Sequence, residues 1–108
     1  MKLVDLIEYL LEPDRLKRLY QMQGVSQEAI EEDDLCIYME GSLSLDSPIR
    51  FITPQESGDR IHFQKAGIEY VYLLEVYLAV ELLEDIKAQL PSNLDCAKSL
   101  LHYAIYDA

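Results

Sequence analysis

Cys36, His62, Cys96 and His102 are the residues of this chain best suited to hold a transition metal, and they are scattered. A zinc site draws on Cys and His a few residues apart, so that one turn or helix face presents both. With no Cys-x-x-Cys and no His-x-x-x-His, the spacing predicts no metal ligation. Glu31-Glu32-Asp33-Asp34 supplies oxygens that suit calcium, but lacks the alternating ligands and the glycine of a calcium loop. Ser57, Asp59 and His62 are close enough to be weighed as nucleophile, orienter and base. Ser, Gly and Asp are also what a turn requires, and the turn is the simpler reading. Adjacent carboxylates of the glycosidase kind arise by chance among 20 acids, and 108 residues leave little room for a sugar cleft. Gly24, Gly41, Gly58 and Gly67 are isolated, so no phosphate-cradling loop is present. The expectation is no catalytic residue, no metal and no cofactor.

The charge is more informative. The formal net charge is −11, from 20 acids against 9 bases. Binding to nucleic acid runs on Lys and Arg neutralising phosphates, so direct nucleic-acid binding is not expected. Docking on an anionic membrane is disfavoured for the same reason. The excess is not spread evenly. No Lys or Arg occurs between Arg18 and Arg50, a stretch that holds Glu28, Glu31, Glu32, Asp33, Asp34, Glu40 and Asp46. Residues 66–86 hold Glu69, Glu75, Glu81, Glu84 and Asp85, again without a base. Residues 1–18 and the segment from Lys87 onward balance, and residues 50–65 carry one surplus base. A concentrated block projects a field, whereas a scattered excess mainly aids solubility. The 28–34 block is the denser of the two and is the candidate contact surface.

Tyrosine is the second signal: eight, with no Trp and two Phe. Its amphipathic ring is favoured at interfaces. Tyr70, Tyr72 and Tyr77 lie in the longest apolar region and read as core. Tyr38, on the strand face opposite Leu35 and Ile37, reads as available, as do Tyr103 and Tyr106 near the C-terminus. The predicted partner-binding set is Glu28, Glu31, Glu32, Asp33, Asp34, Tyr38, Glu40, Tyr103 and Tyr106.

The elements that must position these residues follow from periodicity. Leu3, Leu6, Ile7, Leu10 and Leu11 fit a helical stripe. Pro13 interrupts and restarts, with Leu16, Leu19 and Tyr20 carrying a second helix to Gly24. Ser26 is placed to cap a short helix over 27–32. From Leu35 the period becomes two, and the alternation runs on through Leu43 and Leu45. Asp46-Ser47-Pro48 marks a turn, 49–53 a second strand, 55–59 a loop, and 60–64 a third strand with Ile61 and Phe63 on one face. Short turns between these strands suggest an antiparallel meander. Residues 68–90 are apolar far beyond strand length and read as a long core helix, with a strand at 68–73 as the alternative. Pro91 stops it, and Ser92 starts a last helix with Leu94, Ala97, Leu101 and Ile105 inward.

The predicted architecture is therefore one α+β domain over residues 1–108: N-terminal helices, a small antiparallel three-stranded sheet, a long core helix and a C-terminal helix. Half-apolar composition supplies a core, and size scaling gives a folded surface of roughly 6,200 Å². Asp5 and Glu8 break the N-terminal apolar run, which reads against a signal peptide. Glu69, Glu75 and Glu81 break residues 68–83, which reads against a membrane span. Two cysteines are too few for a secreted scaffold of this size and read as free thiols, so the cytoplasm is the expected location. The expected function is a non-enzymatic protein-binding module, an acidic immunity protein or antitoxin of bacterial type. Its expected partner is a basic protein, a toxin or nuclease domain, whose field it matches. The alternatives are a secretion-chaperone-like adaptor and a DNA-mimic inhibitor. The adaptor would be a homodimer sharing the apolar excess of residues 68–83.

Overall fold

The leucine stripe at the N-terminus forms α1 (Leu3–Leu10), which buries Leu3, Leu6, Ile7 and Leu10. Lys2 N–H donates to Asp5 Oδ2 at 3.0 Å and satisfies one orphan donor of that helix start. Pro13 opens α2 (Pro13–Met22), which buries Leu16, Leu19 and Tyr20. Ser26 caps α3 (Gln27–Glu32), its Oγ accepting from Ala29 N–H at 3.2 Å. Strand β1 (Cys36–Glu40) and strand β2 (Ile49–Ile52) follow, then a single turn of helix α4 (Pro54–Ser57). The chain continues through β3 (His62–Lys65), β4 (Ile68–Glu75), α5 (Val76–Ile86) and α6 (Asn93–Tyr106). This computed structural model describes residues 1–107. Its exposed surface is 6249 Å².

The α+β class holds, with corrections in detail. The sheet has four antiparallel strands rather than three, in the order β2-β1-β4-β3. It is not a meander of consecutive neighbours, because β1 pairs with both β2 and β4 and β3 pairs only with β4. The long helix expected over 68–90 divides into β4 and α5, so the alternative of a strand at 68–73 holds for the first part of the run. Between β1 and β3, the first half of that run gains a ladder on each side, and eight residues of strand result. The alternation at Leu43 and Leu45 stops being a strand beyond Gly41 (φ +83), where the chain turns. The loop expected at 55–59 winds into α4, because Thr53 Oγ1 accepts from Glu56 N–H at 3.2 Å and Pro54 stands at the first helical position.

The sheet has a core on each face. Ile37, Met39, Leu73 and Leu74 join the leucines of α1 and α2, with Ala79 and Leu83 of α5 and Cys96, Ala97 and Leu100 of α6. Cys36, Tyr38, Ile52, Phe63 and Tyr70 form a second, aromatic cluster on the opposite face. Tyr38 meets Phe63 edge to face at 5.2 Å and Tyr72 at 5.6 Å, while Phe63 and Tyr70 stack. In α6 the inward stripe is Cys96, Ala97 and Leu100, while Leu94 and Ile105 are exposed. Ile61, expected beside Phe63 on a strand face, precedes β3 and is exposed.

Candidate functional site

The acidic block is built by a six-residue helix. Ala29 is buried and Ile30 half-buried, so they set the inner face of α3. Glu28, Glu31 and Glu32 stand at i, i+3 and i+4 and share the exposed face. Asp33 ends the helix in the left-handed conformation (φ +53), also exposed. Like charges at these spacings repel by about 0.2–0.5 kcal/mol per pair. Glu31, Glu32 and Asp33 also lie at the negative end of the helix dipole, where a carboxylate is disfavoured. Glu28 alone is in the favourable first turn. Among the described residues no cation is ion-paired with any of the five acids from Glu28 to Asp34. Among the described residues the one hydrogen bond to their side chains is from Gln27 Nε2 to Glu31 Oε1, at 3.3 Å.

Asp34 leads from this block into β1 and is half-buried. Its Oδ1 is shielded from solvent with no hydrogen-bond partner among the described residues. Its carbonyl accepts from Cys36 Sγ at 3.7 Å. The Cys36 thiol is pushed up to about 11, by burial first and then by the carboxylates of Glu75, Asp34 and Asp59. That keeps it protonated and a poor nucleophile at neutral pH. Tyr20 lies beneath the block, edge-on to Phe51 at 4.9 Å, and burial and then Asp33 raise its phenol well above the usual range.

The remaining predicted contact residues do not join this block. Tyr38 is 2 % exposed, and its hydroxyl donates to the Arg60 carbonyl at 2.6 Å. Phe63 and Tyr72 flank its ring within the buried aromatic cluster, so it is a core residue and not a surface one. Glu40 closes the far end of β1, where Arg50 Nε lies 3.4 Å from its Oε1 and neutralises it. Tyr103 is half-buried against the helical core, contrary to its expected exposure, while Tyr106 is exposed with its ring 4.6 Å from His102. Both are on α6, which packs on α1 and α5, whereas α3 packs on α2.

Two concavities lie near the sheet. An open groove of about 630 Å³ runs beside α3, between the α2–α3 connection (Gly24, Val25, Ser26) and β2 (Phe51, Ile52). A smaller one of about 160 Å³ is lined by Cys36, Tyr38, Tyr72, Glu75, Asp59 and Arg60, among others. Sequence reasoning did not find either, because both depend on how β2 and the segment before β3 return to β1. Ser57 is 1 % exposed; its Oγ accepts from Asp59 N–H at 3.2 Å and lies 3.5 Å from the Pro54 carbonyl. Those bonds are the turn chemistry expected of it. Cys36 and Cys96 are both buried and free. Among the described residues no helix is long and apolar enough to cross a membrane.

Compared with known proteins, no family model, no curated protein and no solved structure matches this chain. The functional reading rests on the chain's own charge and geometry.

Proposed function

We propose that this protein is a non-enzymatic binding module that docks a basic protein on α3, in the manner of an immunity protein or antitoxin neutralising a nuclease-type toxin. The observation that carries this reading is the exposed face of Glu28, Glu31 and Glu32, continued by Asp33 and free of any paired cation among the described residues. These carboxylates repel one another and the helix end, and a cationic surface relieves both repulsions. Nuclease domains carry such surfaces because they grip phosphates. A standard interface takes about 800 Å² per partner, a modest share of the 6249 Å² exposed here. The groove beside α3 adds shape to the charge. The alternative of a dimeric adaptor shared its apolar surface over residues 68–83. Val71, Leu73 and Leu74 of that run are buried within one chain, while Tyr77 remains exposed.

The test is affinity capture from the cognate cell lysate at low and high salt. Wild-type protein is compared with a variant carrying Glu28→Gln, Glu31→Gln, Glu32→Gln and Asp33→Asn. A stoichiometric basic protein is expected, held by the wild type at low salt and lost from the variant. The captured protein's nucleic-acid cleavage should be suppressed at a one-to-one ratio. Equal recovery on both baits would remove α3 from the interface, and no stoichiometric protein on either would end the reading.

A further inference from the structure

β3 is an edge strand, and its ladder with β4 fixes which of its backbone groups are free. Tyr72 N–H donates to the Ile61 carbonyl at 2.8 Å. By the alternation of an antiparallel pair, Ile61, Phe63 and Lys65 turn their backbone groups toward β4. His62 and Gln64 turn theirs outward, and no described residue bonds to them. The opposite edge differs. There Ile49 N–H donates to the Met1 carbonyl at 2.8 Å, and the Thr53 carbonyl accepts from Glu56 and Ser57 of α4. Beside the open edge, Ile61 is 63 % exposed, an apolar side chain with no cover.

Charge decides what this edge can receive. Two chains at −11 repel wherever their acidic faces meet. Residues 50–65, with Arg50, Arg60 and Lys65 against Glu56 and Asp59, form the stretch with a surplus of base. The open edge therefore lies where two copies of this chain oppose each other least. A basic partner of the kind proposed for α3 is disfavoured there.

We propose that a second copy of this chain pairs antiparallel with the β3 edge, joining two four-stranded sheets into one of eight strands. The register follows from hydrogen-bond parity. His62 of one copy exchanges both bonds with Gln64 of the second, and the twofold axis repeats this. Phe63 faces Phe63 on the axis, and Ile61 lies opposite Lys65. A slip of one residue directs bonded groups at one another's wrong faces. A slip of two sets Gln64 opposite Arg60, whose N–H and carbonyl already bond Ser57 and Tyr38, or sets His62 opposite the turn residue Ala66. Lys65 of each copy is ion-paired with Glu56 of its own chain, so it brings no unpaired charge to the edge. Phe63 belongs to the aromatic cluster, so the two clusters meet edge to edge across the axis.

Light scattering on the full chain, up to roughly 1 mM so that a Kd of 1 mM is visible, should show the mass rising from 12.5 kDa toward twice that value. Added salt should increase the dimer, because it screens repulsion between like-charged copies. The salt response of a complex with a basic partner has the opposite sign, which separates this proposal from the reading of α3. Gln64→Pro removes an outward N–H and leaves the β3–β4 ladder intact, so it should be folded and monomeric at every concentration. The double variant Ile61→Cys with Lys65→Cys should oxidise to a covalent dimer. The two positions lie about 13 Å apart along one strand, too far for a disulfide within a copy, but face each other between copies. A mass of 12.5 kDa throughout, a dimer that survives Gln64→Pro, or a dimer that does not cross-link would each overturn the proposal.

Discussion

Tyr38 and the Arg60 carbonyl share a 2.6 Å hydrogen bond that spans 22 residues of chain. The bond ties central strand β1 to the segment entering β3, and its ring packs edge-on to Phe63 and Tyr72. Tyr38→Phe keeps the ring and its packing but leaves the part-buried Arg60 carbonyl without its donor. The expected loss is roughly 1–3 kcal/mol of stability, read from the urea midpoint. A change within a few tenths would show that water replaces the phenol at no cost.

Ala66 sits at φ +53 and Gly67 at φ +79 in the two-residue turn between Lys65 and Ile68. Two left-handed residues in a two-residue hairpin make a type I′ turn, which favours Asn-Gly and penalises Ala at the first position. Ala66→Asn should raise stability by about 1 kcal/mol, visible as a higher melting temperature with unchanged circular dichroism. An unchanged or lower melting temperature would contradict the turn assignment.

The α3 carboxylates should trade stability against association. Glu31→Gln, Glu32→Gln and Asp33→Asn together remove like-charge repulsion and an unfavourable helix-end interaction. Stability should rise by about 0.3–1 kcal/mol in denaturant titration. Association with a basic partner should slow by roughly tenfold or more at low salt and little at high salt. A variant that is both less stable and equally fast would show that these acids have partners in solution.

The Cys36 thiol gives a pH signature. Its pKa is pushed up from 9.0 to about 11, by burial and then by Glu75, Asp34 and Asp59. Below pH 9.0 both folded and unfolded chains keep the proton. Between 9.0 and about 11 the unfolded chain releases it while the folded chain retains it, so stability falls as pH rises across that window. Tyr20 and Tyr72, also raised by burial, extend the loss to higher pH. At neutral pH the folded thiolate fraction should be about a hundredfold below that of the unfolded chain. Alkylation of Cys36 followed by mass spectrometry, native against urea-unfolded, measures it. Equal rates in the two states would contradict the burial of the thiol.

Local signals in the chain were enough for the elements that depend on local chemistry. The stripe Leu3, Leu6, Ile7 and Leu10 specifies α1 because a 3.6-residue period leaves one face apolar. Pro13 and Ser26 mark the starts of α2 and α3 because each settles an orphan backbone group at a helix end. The acidic composition of α3 was equally legible, but that Glu28, Glu31 and Glu32 turn outward came from the fold, which buries Ala29 and half-buries Ile30.

For residues 68–90 such reasoning left helix and strand both open. Nothing at Leu74-Glu75-Val76 breaks the chain by its own chemistry, and an apolar run fits a buried helix or a buried strand. The break is set by partners remote in sequence: Cys36 pairs with Glu75, and Val76 N–H donates to the Leu35 carbonyl at 2.9 Å where α5 begins. Tyr38 failed for the same reason. Alternation showed correctly that it opposes Ile37, but a strand's second face is solvent or core according to what folds over it. Here the rings of Phe63 and Tyr72 flank it on that face, and the segment entering β3 brings the Arg60 carbonyl to its hydroxyl. Charge and helix caps are properties of neighbouring residues, and the sequence by itself determined them. That β1 lies beside β4, and hence which face is buried, depends on hydrogen bonds between segments 20 or more residues apart, and only the tertiary structure decided it.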